Sequence, residues 1–229
     1  LKVGIYIFGI EFLAESGAST WLMWLAAFSI LAASVIAMTK DNLKARLAYS
    51  TISQLSYITL GVALASSMGI LGGGLHVVMH AMGKITLFMC AGSIYVATHR
   101  TEISQMTGLG RRMPITFIAF LIGALSIIGL PPLGGSWSKW LLMVGAVDAE
   151  HLFILGVLLV SSLLNVAYLL PLVAKGFFLS NDTDAELVQS AEASPLVWGP
   201  PAATAFGCVV LFFYAGHIQD FLMPIVATN

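Results

Sequence analysis

Within an apolar run from Leu71 to Thr98, His76, His80 and Lys84 recur four residues apart with almost no other charge nearby. At 3.6 residues per turn this spacing predicts a single helical face, drifting roughly 40° per step over about 12 Å of axis. Imidazoles titrate near neutral pH, and beside a buried amine they are suited to handing protons along a hydrogen-bonded water chain. Zinc is a weaker match to the same spacing. No carboxylate or thiolate lies close enough in sequence to complete a site, and the next position on the face is a lysine, whose charge repels a metal. Nucleophilic catalysis is weaker still, since Ser93 has no visible acid partner.

These residues sit in a polytopic membrane protein. The 229 residues are 59% hydrophobic and only 9% charged, with a mean hydropathy of +0.94, against roughly 25% charged for soluble domains. A net charge of −1 with scattered basic residues excludes a nucleic-acid surface. Cys90 and Cys208 lie in apolar runs and read as inert buried thiols. Apolar segments at Leu1–Leu13, Trp21–Thr39, Leu47–Ala65, Ile70–Thr98, Ile115–Val147, His151–Val173 and Pro201–Leu222 predict about seven spans in one transmembrane domain over residues 1–229. The first is short and has no signal-peptide features, so it is expected to be a helix cut open at its start.

Loop charges test that threading. One side collects Lys40, Lys44, Arg46, Arg100, Arg111, Arg112 and Lys175, while the loops around Glu15, Ser67 and Glu150 and the C-terminal tail carry none. The asymmetry predicts cytoplasmic basic loops and an external Asn229, in an inner or plasma membrane. Lys2, Lys84 and Lys139 are left over, each inside an apolar segment. A lysine can snorkel to the headgroups, but Lys84 would have about 15 Å to climb on a stem of roughly 6 Å. A charge at bilayer depth costs about 3 kcal/mol on insertion scales, so Lys84 is expected to face the bundle interior or a water path. Snorkelling stays open for Lys139, and the depth of Lys2 is not fixed by the sequence.

The segment from Ile115 to Val147 is too long for one span and is interrupted by Gly129, Leu130, Pro131, Pro132, Leu133, Gly134 and Gly135. Proline removes backbone donors and clashes with the preceding turn, so a broken helix is expected here. Unwound backbone at membrane depth is tolerated only inside protein or beside water. Ser136, Ser138 and Lys139 are therefore expected to line a cavity. The competing possibility is two full helices joined by a tight turn, which would move Asp148 and Glu150 to the face opposite the one the loop charges favour.

Other signals are weaker. The hydroxyls of Ser50, Thr51 and Ser53 are assigned to helix packing in preference to transport. Gly72, Gly73 and Gly74 do not form a nucleotide loop and are expected to let helices approach closely. The acidic stretch Ser180–Ala193 reads as a solvated loop, Glu11 and Glu15 as outer-interface markers, and His217 and Asp220 as interfacial.

Three ordered motifs carry a resemblance over nearly the whole chain. They are Asp41 to Gln54 (DNLKARLAYSTISQ), then His76-x3-His80-x3-Lys84, then Gly129-Leu130-Pro131-Pro132 followed by Ser138-Lys139. They resemble the antiporter-like membrane subunits shared by respiratory complex I and the multisubunit cation/proton antiporters. Within that family, Lys84 to Phe88 and Arg111 to Pro114 look more like the D-type component of the cation/proton antiporter than like a complex I component. The resemblance implies a bridging lysine at Lys2, a central-axis lysine at Lys84 flanked by His76 and His80, and a half-channel lysine at Lys139. It also implies the C-terminal half of an inverted-repeat fold, working among other membrane subunits in the bilayer. The expected function is proton conduction along Lys2, His76, His80, Lys84 and Lys139, coupled to sodium extrusion or, as in complex I, to electron transfer carried by other subunits. No cofactor, metal or redox centre is expected, and catalysis only as part of a larger translocase. A purely structural membrane scaffold is the reading from another class.

Overall fold

The computed structural model describes residues 9, 17–179, 192 and 194–227. Lys2, Glu11, Glu15, Asn229 and most of Ser180–Ala193 lie outside them. The described chain is helical: α1 (Ala18–Thr39), α2 (Leu43–Ala63), α3 (Ser67–Thr98), the single turn α4 (Leu109–Arg112), α5 (Pro114–Ile128), α6 (Gly135–Asp148), α7 (Leu152–Phe178) and α8 (Pro195–Ala227). Local sequence sets several of the boundaries. The Asn42 side chain accepts from Ala45 N at 3.1 Å and Ser66 Oγ from Gly69 N at 3.1 Å, satisfying first-turn donors of α2 and α3. Pro114 occupies the first turn of α5, where its missing N–H costs nothing.

Among the described residues four helices are long and apolar enough to cross a membrane: α1, α3, α7 and, over Pro195–Ile225, α8. Helix α2 has 21 residues but carries hydroxyl and amide side chains through its middle. It begins at Leu43, four residues before the predicted apolar segment, so Lys44 and Arg46 belong to its first turn.

Helices α5 and α6 form a broken helix. Close approaches along α3 fall in a steady antiparallel order: Gly145 against Gly69, Gly72 against Leu142, Gly83 against Ile127 and Gly123 against Leu87. A Cβ on Gly72 would stand 2.7 Å from Leu142 N, so the glycine run does bring the backbones together. Helix α7 is followed in the same way: Phe117 meets Phe177 at 6.0 Å between ring centroids at one end, while Ala146 packs with Ile154 and Val157 at the other. The two pieces lie end to end along both neighbours and hardly touch each other side by side. A hairpin would have paired their lengths.

The basic loops meet at one end of the bundle. Leu43 N donates to Thr101 O (2.9 Å) and Gly108 N to Lys175 O (3.1 Å), and Arg111 Nε donates to Phe177 O (2.7 Å). At the opposite end Ser66 Oγ donates to Gly145 O (3.1 Å). Glu192 corrects the expectation that its whole segment is only a solvated loop. Its carboxylate accepts from Ile115 N (3.0 Å) and Thr116 N (2.9 Å), capping α5.

Two large apolar clusters divide much of the interior, and a third, Leu75, Met79 and Ala215, joins α3 to α8. One gathers Leu47, Leu87, Phe117, Phe120 and Leu172 towards the basic end; the other gathers Ile30, Leu60, Leu142 and Ile154 towards the far end. Between them α2, α3, α6 and α7 turn polar: Ser50, Ser53 and Gln54 on α2, His76, His80 and Lys84 on α3, Ser138 and Lys139 on α6, Ser161 and Asn165 on α7, all buried. Helix α3 runs through the middle of this belt.

Candidate functional site

Lys84 points inward, 5% exposed. Its Nζ donates to Ser50 Oγ at 2.6 Å and to Leu47 O at 3.2 Å. Ser50 therefore does more than pack helices, contrary to the assignment made from sequence. Ser53 does pack, bonding Ser34 Oγ (2.9 Å) and Ile30 O (3.0 Å). Eight residues back along α3, His76 turns towards α6, its Nδ1 sharing a hydrogen bond with Ser138 Oγ at 2.9 Å. His80 lies between, stacked on His76 at 5.8 Å, and within electrostatic reach of both Lys84 and Lys139. The predicted ladder is thus one continuous face whose two ends address different helices, as a 40° drift per step requires.

Lys139 is built by the break. Gly129 closes α5 at φ 93°, a conformation that favours glycine. In an unbroken helix Ile128 O would accept from residue 132, but Pro132 has no N–H. The Lys139 ammonium takes that place, donating to Ile128 O at 3.0 Å and to Ser162 Oγ at 3.3 Å. A cation at a helix C-terminus also complements the helix dipole. The ammonium lies 5.1 Å from the Tyr57 ring centroid, and Tyr57 stacks on His76 at 5.3 Å. Gly135 is required sterically, since its Cβ would overlap Ser126 O; a Cβ on Gly134 would press on the Met79 sulfur, near the flexible end of a side chain.

A cavity of about 650 Å³ opens beside the break, with Gly129, Pro131, Ser136, Trp140, Lys139 and Ser162 in its wall. Ser136 and Lys139 line it as anticipated. Ser138 does not; it is fully buried, committed to His76 and to Gly135 O.

Several polar residues escaped the sequence reading or were undervalued by it. Ser50 Oγ pairs with Tyr168 OH at 2.7 Å, Tyr168 OH donates to Asn165 Oδ1, and Gln54 Nε2 donates to the same oxygen at 3.4 Å. Tyr57 faces Ser161 and Ser162. The signal was present: Ser50, Gln54 and Tyr57 on α2 and Ser161, Asn165 and Tyr168 on α7 both follow the i, i+4, i+7 spacing of one helical face. Among the described residues, neither buried ammonium meets a carboxylate, and no three His, Cys, Asp or Glu side chains come together to hold a metal.

This belt of amines, imidazoles and hydroxyls can move protons. Residues 1–165 match the family model described as NADH:quinone oxidoreductase/Mrp antiporter, transmembrane. The chain belongs to this family. Its curated relatives include subunit N of the NADH-quinone oxidoreductase of Desulforudis audaxviator, 39% identical over 156 residues, which are 68% of this chain and 31% of that protein. Subunit L of the Rickettsia bellii enzyme is 31% identical over 90% of this chain and 31% of its own length. Among solved structures, respiratory complex I from Thermus thermophilus aligns with a TM-score of 0.82 at 26% identity, covering 98% of this chain and 48% of that one. The Mrp complex from Dietzia sp. aligns at 0.80 and 23% identity, covering 93% and 48%, a likeness of fold alone. The chain therefore spans about a third of these curated relatives and under half of these solved chains. This NADH:quinone oxidoreductase/Mrp antiporter member is a multi-pass membrane protein, and its helical fold is theirs.

Proposed function

We propose that this chain is the C-terminal, proton-conducting part of an antiporter-like subunit, passing protons along Lys84, His80, His76 and Lys139. The observation that carries this reading is the pair of buried ammonium groups at the two ends of the polar belt, each held only by neutral oxygens. A scaffold could use Lys139 to satisfy Ile128 O, but it would gain nothing from a second unpaired amine at Lys84, where burial costs several kcal/mol unless water or function supports it. Lys84 lies one turn along α3 from His80, which stacks on His76, and His76 bonds Ser138, the chain neighbour of Lys139. A charge placed on one therefore repels a proton from the other, and the stacked imidazoles stand between as intermediate carriers. Lys2, outside the described residues, is proposed as the bridge to the preceding half of the subunit.

The working assembly is a set of membrane subunits in an inner or plasma membrane, with the basic end of the bundle in the cytoplasm and Asn229 outside. Coupling to sodium in a cation/proton antiporter is the first reading, from Lys84 to Phe88 and Arg111 to Pro114. Coupling to electron transfer in a quinone oxidoreductase is the second, favoured by the 39% identity to a subunit N. The test is proton flux into vesicles holding the full-length protein in its complex. Lys84→Ala and Lys139→Ala should each abolish flux while the complex still assembles; wild-type flux in either variant removes that residue from the path.

A further inference from the structure

The imidazole line is not the only connection between the two amines. Helices α2 and α7 run antiparallel with matching polar faces, Ser50 opposite Tyr168, Gln54 opposite Asn165 and Tyr57 opposite Ser161. All six side chains are buried, none more than 1% exposed. This zipper starts at Lys84, through Ser50, and ends at Lys139, beside the Tyr57 ring and Ser162. From Lys84 to the amide pair its hydrogen bonds share a direction, whereas at the far end Lys139 donates to Ser162. Lys84 donates to Ser50 and Tyr168 donates to Asn165 Oδ1, which leaves the Ser50 hydroxyl proton for the Tyr168 oxygen.

At the amide pair the direct bonds stop. An amide carbonyl accepts a hydrogen bond but does not pass the proton on. Beyond it Gln54 Oε1 and Asn165 Nδ2 lack a partner within the protein, and Tyr57 OH and Ser161 Oγ face each other without closing a hydrogen bond. Four unsatisfied polar atoms on facing helices are unusual, because each buried group without a partner costs about 1–3 kcal/mol. They include donors and acceptors in the number that one or two ordered waters need. A metal cation is disfavoured there by the ammonium groups at both ends of the zipper.

We infer that the α2–α7 zipper is a second proton branch between Lys84 and Lys139, completed by water at the Gln54–Asn165 junction. The inference rests on the proton-conduction reading above. In one passage the Lys84 ammonium gives a proton to Ser50 and becomes an amine; each hydroxyl takes a proton from behind and releases its own ahead. The Tyr168 hydroxyl turns from Asn165 Oδ1 to the junction water, which takes its proton and gives one of its own to Ser162; Ser162 then releases its hydroxyl proton to the Lys139 amine, which becomes an ammonium. One proton enters and one leaves, and the intervening groups are left reoriented but chemically unchanged.

The test measures proton flux per assembled complex in vesicles, beside thermal stability, for Asn165→Leu, Asn165→Ser and Tyr168→Phe, with Lys84→Ala in parallel. Leucine fills the site and expels water, so flux should fall at least about twofold, to the share that the imidazole line alone carries, while the complex still assembles. Serine leaves room for water and a hydroxyl and should recover flux to near wild type. Tyr168→Phe keeps the ring and removes one relay hydroxyl, so its flux should also fall. A packing role would make flux follow stability across the variants. Wild-type flux in Asn165→Leu, or in Tyr168→Phe where the leucine variant does not assemble, overturns the branch. If Lys84→Ala also conducts normally, the function proposed above fails with it; if Lys84→Ala is dead, only the zipper fails.

Discussion

Lys84 and Lys139 are both buried and both donate to one carbonyl and one serine hydroxyl, yet the backbone that receives them differs. Lys84 leans on an intact helix: Leu47 O already accepts from Thr51 Oγ1 at 2.8 Å, so the lysine shares that oxygen and depends on Ser50. Lys139 leans on a helix end. Ile128 O has lost its helical donor to Pro132, and the ammonium replaces it at the C-terminal pole of α5. The first amine is a guest in the hydrogen-bond scheme, the second a structural member of it. A protein that moves protons between two amines gains from such an inequality, because the two sites then hold charge for different physical reasons.

Substitutions at the break probe the larger side of the difference. Gly135→Val should have the largest effect, since its Cβ overlaps Ser126 O and both α5 and α6 must move. A loss above about 4 kcal/mol is expected, read as failure of the complex to assemble; normal assembly would show that the two helix pieces do not need their close approach. Next come Lys139→Met and Lys84→Met. The first orphans Ile128 O and should cost about 1–3 kcal/mol. The second removes an unpaired buried charge and leaves Leu47 O bonded, so it should be neutral or stabilising. Thermal unfolding followed by circular dichroism separates them, and equal shifts would erase the distinction between guest and member. Smaller again, Ser50→Ala should cost about 1 kcal/mol and Ser162→Ala about 0.5, in the range of interhelical hydrogen bonds in membranes, because Lys84 bonds Ser50 at 2.6 Å and Lys139 bonds Ser162 at 3.3 Å. The reverse order would mean that Lys139 relies on its serine after all.

How much of this was legible in the sequence depends on whether the signal was a contrast. His76, His80 and Lys84 stand out because charge is rare in an apolar run, and Pro131 and Pro132 because helices cannot continue through them. The break, the inward lysines and the broken-helix geometry followed from those contrasts. Gln54, Asn165 and Tyr168 carried no charge and broke no helix, so their significance lies in α2 and α7 being neighbours, which no local pattern reveals. Glu192 was misread for a similar reason: an acidic stretch looks solvated until a helix N-terminus is seen beside one of its carboxylates.

Glu192 also sharpens the comparison from its weakest side. Helix α5 has a carboxylate at its N-terminal pole and the Lys139 ammonium at its C-terminal pole, so both ends of its dipole are complemented. Helix α2 receives Lys84 near its first turns, away from its C-terminal pole; its acceptors are the second-turn carbonyl of Leu47 and the Ser50 side chain. Glu192→Gln keeps an acceptor for the cap and removes only the charge, so the loss should be about 0.5 kcal/mol, smaller than any change at the two amines. If the dipole of α5 helps to hold Lys139, combining Glu192→Gln with Lys139→Met should cost less than the sum of the two single changes, while combining it with Lys84→Met should be additive. A double-mutant cycle on thermal stability reads both. Coupling to Lys84 in place of Lys139 would place the electrostatic support on the wrong helix and dissolve the proposed inequality.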